Sequence, residues 1–303
     1  MLHNDHSMFE QVILRVSEDT GIEASIIEKD YYVTLFLQRI VAQLPNIIFK
    51  GGTSLSKCYK LIDRFSEDID LNIETETHPT ESQRKKLKEV IVSIIDAFGL
   101  TLTNPDKVRS RRDYNRYIVD YPTIFSTSYL KEHLIVETAV YIKAYPCKRM
   151  LASSLIYDYL ERNGYTELIV QFGLQPFELN VQAAERTLVD KVFALGDYYL
   201  SNAVHEHSRH VYDIYKLLNV VSLDDSMKEL VRSVRDERKP HVNCRSAKDG
   251  IDMNMLLQEI VDKAIYKLDY DGITSRMLFE DVPYETAVTA LRKIIESGIF
   301  SLP

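Results

Sequence analysis

Two aspartates, Asp68 and Asp70, stand two residues apart in the run Arg64-Phe-Ser-Glu-Asp-Ile-Asp-Leu-Asn72. They follow the chain's one adjacent glycine pair, Gly51-Gly52, in Phe49-Lys-Gly-Gly-Thr-Ser-Leu-Ser-Lys57. Ile69, Leu71 and Ile73 alternate with Asp68, Asp70 and Asn72, which is the period of a strand with an apolar face and an acidic face. Two carboxylates on one strand face repel each other without a cation. Hard oxygen ligands of this kind suit Mg²⁺ or Mn²⁺, which also bind a triphosphate. Such a metal neutralises phosphate charge and activates an attacking oxygen. Gly51 and Gly52 permit positive φ and let another group approach the backbone closely. Thr53 or Ser54 is placed to cap a helix from Leu55 to about Ile62, and a turn feeding a helix N-terminus favours an anion such as phosphate. A glycine pair alone is usually only a turn, and Asp-x-Asp alone usually a solvated face; their order and spacing together are more specific. Neither the P-loop pattern nor the dinucleotide fingerprint occurs.

The elements that must position these groups follow from periodicity. Residues 8–44 read as two helices, the second ended by Pro45. Residues 46–74 form a strand–turn–helix–strand unit. A helix spans Thr80 to Phe98, with Arg84, Lys85, Lys86 and Lys88 on its outer face and Leu87, Val90, Ile91, Ile94 and Ile95 on its inner face. Strands follow at Tyr114 to Val119 and His133 to Ala144. From Ser153 the pattern is mainly helical, near 153–163, 182–202, 207–219, 225–238, 252–266 and 284–298. These patterns predict an α+β catalytic domain over residues 1–146 and a helical domain over residues 147–303, with a nucleotide cleft at their junction.

In these residues the chain resembles the nucleotidyltransferase superfamily, and the wording of both motifs is similar to the AbiEii/AbiGii toxins of type IV abortive-infection and toxin–antitoxin systems. Ile27-Glu-Lys-Asp-Tyr-Tyr-Val33, Ile135-Val-Glu-Thr-Ala139, Ala184-Glu-Arg-Thr-Leu-Val-Asp-Lys-Val-Phe-Ala194 and Arg209-His-Val-Tyr-Asp-Ile-Tyr215 extend the resemblance over residues 20–220. It implies a nucleotidyltransferase-fold mixed sheet with flanking helices, NTP as co-substrate, and Ser66 near the nucleotide phosphates. It further implies that Glu137 is a third acid completing the metal site or acting as base, against a plain solvent-facing edge residue. Lys191, with no acid three or four residues away on its helix, either snorkels to water, pairs with a distant acid or, by the resemblance, contacts the triphosphate. The resemblance places Asp213 in the active site to orient Lys191, contact the nucleotide or act as base. Arg209 either binds phosphate or pairs with Asp213 at i,i+4. Lys57 is a further phosphate candidate, or an ordinary exposed lysine.

The three cysteines are far apart and suit a reducing cytoplasm. The polar first residues carry no apolar signal core, and no run is long enough for a bilayer. A net charge of −8 sits awkwardly with a nucleic-acid partner. Yet Lys107 to Tyr117 packs five basic residues and two tyrosines together, and Arg232 to Arg245 forms a second basic stretch. Each is read as a solvated segment or as an RNA contact, with tyrosines stacking on bases. His205, His207 and His210 do not converge as a zinc site should. The expected activity is metal-dependent transfer of NMP to an acceptor hydroxyl. By the resemblance the acceptor is RNA, best the 3′ end of tRNA, and a cognate antitoxin is a partner. Transfer to a protein or small molecule, or catalytically idle NTP binding, are the alternatives.

Overall fold

The computed structural model describes residues 1–66, 68–75, 78–127 and 132–301; Glu67 of the acidic motif lies outside them. The chain forms two compact units, residues 1–59 with 66–181, and residues 60–65 with 182–303.

The first unit is built on a seven-stranded mixed sheet of order β3-β4-β5-β2-β1-β7-β6. Its strands are β1 (Ile47–Lys50), β2 (Asp68–Ile73), β3 (Thr101–Leu102), β4 (Tyr114–Asp120), β5 (His133–Ala139), β6 (Cys147–Ala152) and β7 (Phe177–Gln182). Helices α1 (His6–Thr20), α2 (Ala24–Gln43), α4 (Glu81–Ala97) and α5 (Leu155–Arg162) contribute to its core, and α3 (Gly51–Lys57) continues β1. Ile47, Phe49, Ile69, Leu71, Ile73, Tyr117, Val119, Leu134 and Val136 enter the same apolar cluster as Phe36, Ile40, Ile91 and Ile94 of the helices. Alternation then turns Asp68, Asp70 and Glu137 to the opposite face. A slip of one residue in β2 would drive its aspartates into that core, so the apolar pattern pins the register.

The α+β class holds. β6 and β7 differ from the expected helical run: the three apolar residues of β7, Phe177, Leu179 and Val181, alternate over only six positions in a strand that lies beside β1. The third helix also differs: α3 begins at Gly51 and ends at Lys57, and neither Thr53 nor Ser54 caps it. α4 matches closely. Thr80 and Gln83 form a reciprocal capping box at its start.

The second unit packs α7 (Ala184–Leu200), preceded in the first unit by α6 (Thr166–Phe172), against α8 (Arg209–Leu217), α9 (Asp225–Arg238) and α10 (Met253–Asp262). Its core holds Leu188, Val192, Phe193, Val211, Ile214, Leu217, Val231 and Leu257. The segment 60–65, although it precedes β2 in the chain, belongs here. Phe65 N–H donates to Met277 O, Phe279 N–H donates to Asp63 O, and Arg64 bridges to Leu278. Residues beyond 220, in which the sequence shows no motif, thus hold Arg64 in place. Among the described residues no helix is long and apolar enough to cross a membrane.

Candidate active site

β1 and β2 run antiparallel with Lys50 opposite Asp70. The chain leaves β1 at Gly51 with φ +79°, a conformation that side chains disfavour. A Cβ at Gly51 would lie 2.0 Å from Asp70 Oδ2 and 2.9 Å from its Cγ. Glycine is therefore required twice, for the turn and for the carboxylate packed on it. Turn and acid form one assembly, as their order in the sequence suggests.

β2 and β5 run parallel, with Asp68 beside Ile135 and Asp70 beside Glu137. β4 continues the row with Arg116 opposite Glu137. Lys50, Asp70, Glu137 and Arg116 therefore stand abreast on one sheet face, cations at the ends and carboxylates in the middle. Like charges side by side on a sheet are destabilising. Arg116 Nε lies 3.5 Å from Glu137 Oε1, which relieves part of that repulsion. Burial raises the Tyr114 pKa, and the nearby Glu137 carboxylate raises it further.

Among the described residues no three His, Cys, Asp or Glu side chains gather closely enough to cage a metal. Mg²⁺ does not need such a cage, since it is typically held by one or two carboxylates with substrate phosphates and water completing its shell. The hard oxygens of Asp68 and Asp70 beside a glycine turn fit that requirement.

The neighbouring hydroxyls and Lys57 are engaged within the fold. Thr53 Oγ1 and Ser66 Oγ are 2.9 Å apart, tying α3 to the approach of β2. Ser54 Oγ donates to Gly51 O at 2.8 Å, bracing the turn. Lys57 is buried, and its ammonium donates to Asp30 Oδ1 at 2.5 Å and Thr34 Oγ1 at 2.6 Å. The other Asp30 oxygen accepts from Leu155 N–H, so Lys57 and Asp30 pin α3, α2 and the start of α5 together. Three residues after Ser54 on its helix, Lys57 points to this staple. A cavity of about 290 Å³ lined by Leu44, Asn46, Ile73 and Leu87 sits at the other ends of β1 and β2 and holds none of these groups.

The second unit carries its own charged cluster. Asp213 on α8 is fully buried, at 0% exposure. Arg64 grips it with a fork, Nε to Oδ1 at 2.7 Å and Nη2 to Oδ2 at 2.8 Å. Lys191 Nζ on α7 donates to Asp213 Oδ2 at 2.6 Å and lies 3.5 Å from His210 Nδ1. Burial pushes the Asp213 pKa up, but Arg64 and then Lys191 outweigh it and hold the carboxyl well below the usual range. Burial lowers the Lys191 pKa, against the pull of Asp213. Burial and then the Lys191 charge push the His210 pKa well down. Lys191 thus pairs with an acid from another helix. Arg64, 149 residues distant, reaches Asp213 from a segment that helical spacing does not point to. Arg64 opens the acidic motif, but its role has no local signal.

The two basic stretches part ways. In the second, Arg238 is buried on Asp197 at 2.7 Å and Asp190 at 3.3 Å, and Lys239 pairs with Asp249. Arg238 serves the interior of the helical unit, while the Lys239–Asp249 pair lies at its surface. In the first, Lys107, Arg109, Arg111 and Arg112 are exposed. His207 stacks on Tyr198 with ring centroids 3.5 Å apart, and no metal cluster forms there among the described residues.

Comparison with known proteins bears on the family. The family model of the AbiEii nucleotidyl transferase toxin of type IV toxin–antitoxin systems matches residues 35–293. No curated relative matches the sequence. Among solved structures the chain is similar to MenT4, the nucleotidyltransferase toxin Rv2826c of Mycobacterium tuberculosis H37Rv. Identity is 16% and the TM-score 0.48, over 95% of this chain and 88% of that one. With the family model spanning most of its length, the chain belongs to the AbiEii nucleotidyltransferase toxins.

Proposed function

We propose that this nucleotidyltransferase transfers NMP from an NTP to the 3′ hydroxyl of RNA, with tRNA as the acceptor, and that this arrests growth in the cytoplasm. The observation that carries the reading is the packing of the Asp70 carboxylate on the backbone of Gly51. It joins a turn that admits phosphate to an acid that binds a cation. Asp68 and Asp70 would hold Mg²⁺ or Mn²⁺, which when bound neutralises phosphate charge.

The remaining roles belong to the chain's own residues. Gly51 and Gly52 let phosphate approach the main chain, with Thr53, Ser54 and Ser66 bracing that turn. The acceptor oxygen bonds to the α-phosphorus as the bond to pyrophosphate breaks, and the Glu137 carboxylate takes the acceptor proton. Lys191 contributes positive charge to the departing phosphates, and Arg209 a second cation. Of the roles open to Asp213, orienting Lys191 is best supported. A buried carboxylate gripped by two cations is a poor base. A separate antitoxin, encoded as the partner of such systems, would restrain the activity.

The test is incubation of purified protein with labelled NTPs, Mg²⁺ and total RNA. Labelled RNA in wild type and none in Asp68→Ala is the expected result. Label on a protein or small molecule, or NTP binding without turnover, would replace this reading with one of its rivals.

A further inference from the structure

The first basic stretch is arranged for a particular task. β4 alternates strictly: Asn115, Tyr117 and Val119 are buried, while Tyr114 and Arg116 are exposed on the face that carries the acids. Tyr114 is 43% exposed, large and aromatic. Arg116, 44% exposed at its side chain, stands two residues along on the same face. Arg116 Nε lies 3.5 Å from Glu137 Oε1, and Tyr114, opposite Ala139, shares that face with them.

The preceding residues are fixed. Asn115 accepts from Arg109 N–H at 2.8 Å and donates to Arg109 O at 3.0 Å. Arg84 on α4 reaches Asp113 at 2.7 Å, Arg111 reaches Glu81 at 2.8 Å, and Lys88 reaches Val108 O at 3.3 Å. In a chain of net charge −8, this is a tethered, exposed basic segment leading directly into Tyr114.

The direction follows from the chemistry. In phosphoryl transfer the attacking and leaving oxygens lie roughly in line on opposite sides of phosphorus. The glycine turn lies at β1, to one side of Asp70, and β5 and β4 lie to the other. If the triphosphate rests on the turn, the acceptor must approach over β5 and β4. Two strand spacings, about 10 Å, separate β2 from β4.

We propose that Tyr114 and Arg116 form the acceptor platform of this site: Tyr114 stacks on the 3′-terminal base of a single-stranded RNA end, Arg116 contacts its sugar–phosphate, and Lys107, Arg109, Arg111 and Arg112 follow the upstream phosphates. This rests on the nucleotidyl-transfer reading given above. Stacking on an exposed aromatic is sequence-tolerant and strong enough to decide acceptor affinity, and the arginines add a salt-dependent term.

The experiment measures KM and kcat for a short single-stranded RNA, and NTP affinity by equilibrium dialysis, in wild type, Tyr114→Ala, Tyr114→Phe and the pair Arg111→Ala/Arg112→Ala. Tyr114→Ala should raise KM for RNA about tenfold or more with NTP affinity unchanged, and Tyr114→Phe should restore KM. The arginine pair should flatten the dependence of KM on salt. An unchanged KM in Tyr114→Ala overturns the platform, as does an equal rise in Tyr114→Phe, which would assign the effect to the hydroxyl. If Asp70→Ala still labels RNA, or wild type labels none, the underlying transfer reading fails instead.

Discussion

The acidic sheet face and the buried Arg64–Asp213–Lys191 cluster treat charge in opposite ways. On the sheet, Asp70 and Glu137 stand abreast, partly exposed, with Lys50 and Arg116 only at the ends of the row. In the helical unit one carboxylate is enclosed and gripped by two cations. The first arrangement concentrates like charge where a cation and its phosphates can enter. The second fixes a lysine's position at the expense of desolvating all three groups, which good geometry must offset. Charge is concentrated in both regions, but only the first sets carboxylates side by side without a cation between them.

The sharpest break of that contrast is in activity. Asp70→Ala should lower transfer by on the order of 10³-fold while leaving the thermal midpoint close to wild type, because it removes repulsion on the sheet. Gly51→Ala should also abolish transfer, since its methyl would occupy the place of the Asp70 carboxylate. Single-turnover labelling beside a melting curve separates the two. A large stability loss in Asp70→Ala would mean that the acids are structural.

Next in size is stability in the helical unit. Asp213→Asn leaves two buried cations without their counter-charge and should cost about 3–5 kcal/mol, read by denaturant unfolding. Its pH dependence has a definite sign. The Asp213 pKa is lower folded than unfolded, so its contribution is full above the ordinary carboxylate value of 3.8 and is lost as pH falls below it. Glu28 in the sheet unit has the opposite sign. Burial raises its pKa above 4.5, against the Ile124 and Phe125 amides that it accepts from, so it costs stability as pH rises through that region. Unfolding of wild type and Asp213→Asn should diverge above pH 4 and converge in stronger acid; parallel curves would count against the assignment.

The smallest effect concerns Lys57. Lys57→Met should destabilise by about 3 kcal/mol, because Asp30 loses its ammonium. NTP affinity of the folded variant decides whether the staple is its whole role: a tenfold loss would return Lys57 to the phosphates.

Much of the site was legible because it is local. A glycine pair, a helix and an alternating strand lie within some twenty residues, and period two alone turns Asp68 and Asp70 away from Ile69 and Leu71. Glu137 was reachable only through the family resemblance, since a single acid in an apolar strand does not say which strand lies beside it. α4 was readable from its apolar stripe. β6 and β7 were not: β6 is a largely exposed edge strand with few apolar residues, and the alternation of β7 lasts only six residues.

What the sequence determined by itself is the chemistry of the Gly51–Asp70 segment, through backbone freedom at glycine and alternation along β2. Tertiary structure decided the partners: Arg64 on Asp213, Asp30 on Lys57, and Arg116 beside Glu137. Local spacing fixes which way a side chain points along its own element. What it meets there depends on segments up to 149 residues away, brought together by burial of the apolar faces they share.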